Sequence, residues 1–123
     1  MNYEALHEAA HRAGMEAGNG AIPQPMVVVE AGIFDEPIPG GNRWTVPEGV
    51  CGFAWINIRD ARKGFARWAK KVGVGRTDRY FGGVTIWVSA FGQSMTRKEA
   101  YALAYAYVLQ DAGINAYSNS RMD

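Results

Sequence analysis

The chain has 123 residues, 48% of them hydrophobic and 20% charged, with a formal net charge of +1. That balance predicts one globular domain over residues 1–123 with a core of its own, and argues against a disordered chain or a strongly basic nucleic-acid binder. The only cysteine is Cys51, so an internal disulfide is excluded, and no leader-like or membrane-length apolar run is present. The sequence therefore predicts a soluble protein of a reducing cytoplasm with no membrane partner.

Residues 3–17 carry a thin apolar stripe, Leu6, Ala9, Ala10, Ala13 and Ala17, which predicts a helix stopped by Gly18-Asn19-Gly20. Pro23 and Pro25 lead in extended form to a short strand at Met26-Val27-Val28-Val29. Residues 31–49 hold three prolines and Gly40-Gly41, the pattern of a turn-rich excursion in which Phe34 and Trp44 need packing partners. Residues 50–58, VCGFAWINI, read as a strand apolar on both faces and hence central. A helix over 60–72 follows, with Ala61, Phe65, Trp68, Ala69 and Val72 on one face and Lys63, Arg67, Lys70 and Lys71 on the other.

A glycine-rich link then reaches a third strand at 84–90, where Val84, Ile86 and Val88 alternate with Thr85, Trp87 and Ser89. Thr96 and Glu99 have the spacing of a capping box, and the helix they open runs to Gly113, a natural left-handed terminator. Ile114–Ser118 reads as a short closing strand with NSRMD as a tail. The predicted order is α-β-β-α-β-α-β, an α+β domain with a small mixed sheet packed by helices.

His7-Glu8-Ala9-Ala10-His11 fits H-E-x-x-H, in which two imidazoles on one helix face hold zinc and the glutamate serves the bound water. These are the only histidines, and Ala17 stands where the extended motif places its third ligand. A zinc-dependent hydrolase using His7, His11 and Glu8 is therefore the alternative reading, and two solvent-facing histidines on an alanine-rich helix the preferred one. Ser94, between a strand and a helix, resembles a nucleophile elbow but has Thr96 in place of the second glycine and no histidine after it. It reads as a turn serine, and Cys51 as an inert core thiol. No catalytic residue and no cofactor is predicted.

Charge supplies a stronger lead. Residues 51–80 hold Arg59, Arg62, Lys63, Arg67, Lys70, Lys71, Arg76 and Arg79 against Asp60 and Asp78, whereas residues 1–50 are acidic. Guanidinium forks match phosphate oxygens and aromatic rings stack on bases, so Arg67, Trp68, Lys71, Arg76, Arg79 and Tyr80 form the predicted ligand-binding set. An anionic small ligand is the expected guest, with nucleic acid as an alternative. From Ala100 to Leu109 every residue is apolar or tyrosine, so Tyr101, Tyr105 and Val108 are the predicted interface of a homo-oligomer.

PMVV at 25–28, GVCGFAWI at 49–56, GGVTIWV at 82–88 and QSMTRKEAYALAYAYVLQDAGINAYSNSRMD at 93–123 together resemble a group of small proteins of tailed bacteriophages. HEAAH lies outside the resembling part. The resemblance implies a viral accessory protein in a host bacterial cytoplasm, acting without catalysis. Such a protein would counter host defence by binding a host protein or by sequestering a small phosphate-bearing ligand.

Overall fold

The computed structural model describes residues 1–29, 43–61 and 64–123. Helix α1 (Tyr3–Gly20) is capped by Asn2, whose side-chain oxygen accepts from the Ala5 amide at 3.0 Å. Strands β1 (Met26–Val29) and β2 (Arg43–Val46) pair antiparallel in a separate two-stranded sheet. Of the excursion predicted over 31–49, residues 31–42 with Phe34 lie outside those described, and 43–46 form β2 where a loop is expected. Strand β3 (Gly52–Ile58) is followed by helix α2 (Gly64–Val72), strands β4 (Arg76–Thr77) and β5 (Val84–Trp87), helix α3 (Met95–Asp111) and strand β6 (Ala116–Met122). The seven predicted elements thus occur in the predicted order in an α+β domain, with β2 and β4 added.

The main sheet has the order β4-β5-β3-β6. Every described ladder is antiparallel, so strand directions alternate across the sheet, β3 running parallel to β4 and β5 parallel to β6 without being paired. The succession β3-α2-β4-β5-α3-β6 in this order is the split β-α-β arrangement. It leaves one sheet face for helices and the other open.

Side chains alternate across that sheet, and the even-numbered positions of β3, β5 and β6 face the helices. Ala54, Ile56, Ile58, Val84, Ile86 and Ala116 join Phe65, Ala66 and Ala69 of α2 and Ala102, Ala106 and Leu109 of α3 in one core. Burying a side chain such as Ile56, Phe65 or Leu109 stabilises the fold by about 1.5–3 kcal/mol each. Helix α1 packs on the outer side of α3, and Tyr3 reaches Phe65 of α2 edge-on at 6.1 Å.

Several local expectations are revised. Gly18 does not stop α1; the helix continues to Gly20, because Gly18 is buried under the Phe91 ring, where a Cβ would lie 2.3 Å from it. The packed stripe of α1 accordingly runs through Ala10, Gly14 and Gly18, while Ala9 is exposed. On α2 the outlying residue of the expected apolar face, Val72, is exposed. The cap of α3 is Ser94 rather than Thr96, with Oγ accepting from the Arg97 amide. Gly113 does terminate α3 in the left-handed region at φ 84°, with the Ile114 amide donating to the Leu109 carbonyl at 3.0 Å. The predicted tail is not a tail: residues 119–122 continue β6 along the whole of β3. Cys51 is exposed, not in the core, since it precedes β3 at the rim of the sheet.

Candidate ligand-binding face

Odd-numbered positions of β3, β5 and β6 point away from the helices. On β3 these are Phe53, Trp55 and Asn57; their register partners are Arg121, Asn119 and Tyr117 on β6, with Trp87 and Thr85 of β5 opposite Trp55 and Asn57. Trp55 and Trp87 are therefore a direct cross-strand pair, with ring centroids 4.9 Å apart and planes inclined by 46°. Phe53 meets Trp87 edge-on at 6.4 Å, and the Arg121 guanidinium lies 5.5 Å from the Phe53 centroid, within cation–π range. Aromatic cross-strand pairs of this kind hold register as well as presenting a surface.

The link between β4 and β5 folds back over this face because Asp78 organises it. Its carboxylate accepts from the Tyr80 amide at 2.9 Å, the Phe81 amide at 2.8 Å and the Thr85 hydroxyl at 2.5 Å. The Thr85 bond, then the Phe81 and Tyr80 amides, holds the Asp78 carboxyl below the usual aspartate range, so it is ionised at neutral pH. Gly83 completes the turn at φ 71°, where a Cβ would fall 2.0 Å from the Ile58 carbonyl oxygen. Asn57 ties the turn to β3, its amide donating to the Gly82 carbonyl at 2.9 Å. The result is Phe81 stacked on Trp55 at 6.2 Å and 27°.

Between that turn and β6 lies an open cleft of about 550 Å³ lined by Trp55, Asp78, Phe81, Trp87, Asn119 and Arg121. Its rings differ in exposure: Trp55 is 6% exposed and forms the floor, whereas Trp87 at 48% and Phe81 at 45% offer surface to a guest. Among the described residues, the buried side-chain atoms without a hydrogen-bond partner are Trp55 Nε1 and Asn57 Oδ1, both on residues of this side of the sheet.

The predicted ligand-binding set is divided by the fold. Arg67, Trp68 and Lys71 lie on α2 around a shallow cleft of about 430 Å³ that also meets Tyr3. Trp68 packs on His7 and Phe65, on the helical side of the sheet. Arg76 sits opposite Thr85 at a position of the open face, Arg79 is exposed in the β4–β5 link, and Tyr80 lines the open-face cleft. These groups flank different surfaces and do not form one pocket. The residues missed in sequence are Phe53, Trp55, Trp87, Asn119 and Arg121. Their signal was the alternation of β3 and β5 taken together, which places the aromatics on the face opposite Ile56 and Ile86.

HEAAH is a packing device. The two imidazoles point at α3, His7 Nδ1 lying 2.7 Å from the Tyr105 hydroxyl and His11 Nδ1 2.5 Å from that of Tyr101. Their rings stack 6.0 Å apart at 28°, parallel rather than convergent on one point, as a shared ion would require. His7 is half-buried, not fully solvent-facing. Burial, then the neighbouring His11, lowers its pKa from 6.5, against an opposing pull from Glu8. Burial pushes the Tyr101 hydroxyl up to about 12 and that of Tyr105 further, so both stay protonated hydrogen-bonding partners. No group of three or more His, Cys, Asp or Glu able to hold a metal occurs among the described residues.

Tyr101 and Tyr105, expected at a subunit interface, are 6% and 0% exposed because α1 already covers them; Val108 is partly buried. The large hydrophobic residues of α3 that do face outward are Leu103 and Tyr107. No described helix is long and apolar enough to cross a membrane. The chain matches no protein-family model, no curated protein and no solved structure.

Proposed function

We propose that the protein is a binding module whose working surface is the open sheet face and whose ligand is a single strand of nucleic acid. The observation that carries this reading is the cross-strand pair Trp55–Trp87, widened by Phe53 and Phe81 into an aromatic field on the face opposite the helices. One common kind of RNA-binding module, a four-stranded sheet with aromatics on its exposed face, stacks two or three unpaired bases on them. Arg121 and Arg76 stand at the margins of this field, where a strand lying across it would carry its phosphates.

At a net charge of +1 the chain has little to offer phosphates, so affinity for such a ligand would come from stacking. Each base stacked on an aromatic contributes about 1–3 kcal/mol without any phosphate contact. With only two arginines at the margins, the expected salt slope is shallow, roughly −1.4 in log affinity against log salt. A free nucleotide offers the same base and phosphate, and the cleft is in the size range of small-ligand sites, so it should compete for the same surface.

Fluorescence anisotropy with labelled single-stranded DNA and RNA oligonucleotides tests the reading. Trp87→Ala removes a half-exposed ring that the core does not need and should weaken binding roughly 5- to 150-fold. Absence of binding at low salt, or equal affinity in the variant, would refute the assignment.

A further inference from the structure

The outer edge of β6 is laid out to pair with a second copy of itself. The Asp123 amide donates to the Cys51 carbonyl, which makes 51 and 123 a hydrogen-bonded pair of the β3–β6 ladder. Continuing that register, residues 117, 119 and 121 bond to β3, and residues 116, 118, 120 and 122 turn their backbone groups to the edge. The Ala116 carbonyl is taken by the Gln110 side chain at 2.7 Å. Ser118, Ser120 and Met122 present the remaining edge amides and carbonyls, and no described strand pairs with them. Stretches of this kind are usually blunted by proline, charged side chains or a bulge; β6 has no proline, lysine or break in register, and its one charged residue, Arg121, lies against Phe53 on the open face.

We infer that the protein forms a twofold dimer by antiparallel pairing of β6 with the β6 of a second copy, centred on Ser120. In this register Ser118 lies opposite the partner's Met122, Ser120 opposite the partner's Ser120, and each of these pairs exchanges two hydrogen bonds. The side chains agree with the backbone. Met122, 67% exposed on the helical side, comes beside the partner's Ser118, at the mouth of an open groove of about 410 Å³ between α3 and β6. That groove is lined by Ala21, Ala100 and Leu103, itself 46% exposed, beside Thr96 and Glu99 of α3, so the thioether of each copy reaches apolar groups at a recess with a mixed rim.

The pairing also completes the open face. Asn119 falls opposite the partner's Arg121 on the aromatic side, so the second copy delivers a guanidinium to the cleft that holds Trp87. This last step rests on the stacking reading of that cleft; the dimer itself does not. Joining two four-stranded sheets edge to edge makes one continuous face with two aromatic fields, suited to one strand crossing both.

Analytical ultracentrifugation of the full chain over a concentration series reads the dimer directly. The wild-type protein should sediment at twice its 13.5 kDa chain mass, and Leu103→Glu and Met122→Glu should each return it to the monomer with an unchanged circular dichroism spectrum. A wild-type monomer at every concentration, or dimers that persist in both folded variants, would overturn the proposal. The link to the cleft is tested by oligonucleotide binding to the monomeric Leu103→Glu variant. Affinity reduced at least several-fold, yet still sensitive to Trp87→Ala, supports the partner's Arg121 as a contributor. Undiminished affinity overturns that contribution, and loss of Trp87 sensitivity with the dimer intact would count against the stacking reading alone.

Discussion

Gly14→Ala sets two measurable effects against each other inside α1. An alanine in a helix interior is favoured over glycine by about 0.8–1.0 kcal/mol. At position 14, however, the added Cβ would lie 2.6 Å from Cδ2, 2.7 Å from Cε2 and 2.9 Å from Cγ of Tyr101. Tyr101 cannot swing aside freely, because its ring is 6% exposed, its hydroxyl is bonded to His11 and it stacks with Tyr105. Overpacking of this kind costs about 1–3 kcal/mol, so the net change is a loss of about 0–2 kcal/mol, centred on about 1 kcal/mol. A chain of 123 residues unfolds with an entropy of roughly 0.26 kcal/mol/K, which converts that loss to a fall of about 4 °C in Tm. Differential scanning calorimetry of Gly14→Ala beside Gly20→Ala supplies the control, since a Cβ at Gly20 meets nothing within 4 Å. If Gly14→Ala were as stable as Gly20→Ala, the close approach of α1 to α3 would be wrong.

Three further expectations follow from the same contacts. Tyr105→Phe removes the buried hydroxyl that His7 faces at 2.7 Å and should cost about 1–2 kcal/mol, read from the urea midpoint at unchanged m-value. The lowered pKa of His7 means that, as pH falls through 6.5, the unfolded chain takes up a proton before the folded one does, so this residue withdraws stability below 6.5 and none above it. His7→Gln should therefore flatten that part of the Tm-against-pH curve; an unchanged slope would contradict the assignment. Gly83→Ala forces a side chain into φ 71° and against the Ile58 carbonyl, costing more than about 1 kcal/mol, and should release Phe81 from Trp55 with a red shift of tryptophan emission.

The main elements were legible because their periodicity is strong: β3, α2, β5 and α3 all lie within a few residues of their expected bounds. The misreadings share a cause, in that a neighbour absent from the local sequence decides the outcome. Gly18-Asn19-Gly20 looks like a stop until Phe91 fills the space a side chain would occupy. The polar stretch Asn119-Ser120-Arg121 looks like a tail until β3 offers it a ladder. HEAAH has metal-binding spacing, but the partners that satisfy it are tyrosines 90 and 98 residues away. Strand β3, apolar on both faces, is central as its pattern predicts, lying between β5 and β6 with every residue but Phe53 buried. What the pattern of β3 alone does not show is that Phe53 and Trp55 share the face opposite the helices with Trp87, which the register with β5 supplies.

The most direct measurement uses the tryptophan indole resonances in a ¹⁵N–¹H correlation spectrum during titration with a single-stranded oligonucleotide. Trp55 and Trp87 lie on the open face, whereas Trp68 lies between α1 and α2 on the other side of the sheet. Ligand on the aromatic field should shift the Trp55 and Trp87 signals and leave Trp68 in place. A shifted Trp68 with Trp55 and Trp87 unmoved would contradict this account and move the site to the basic cleft of Arg67 and Lys71.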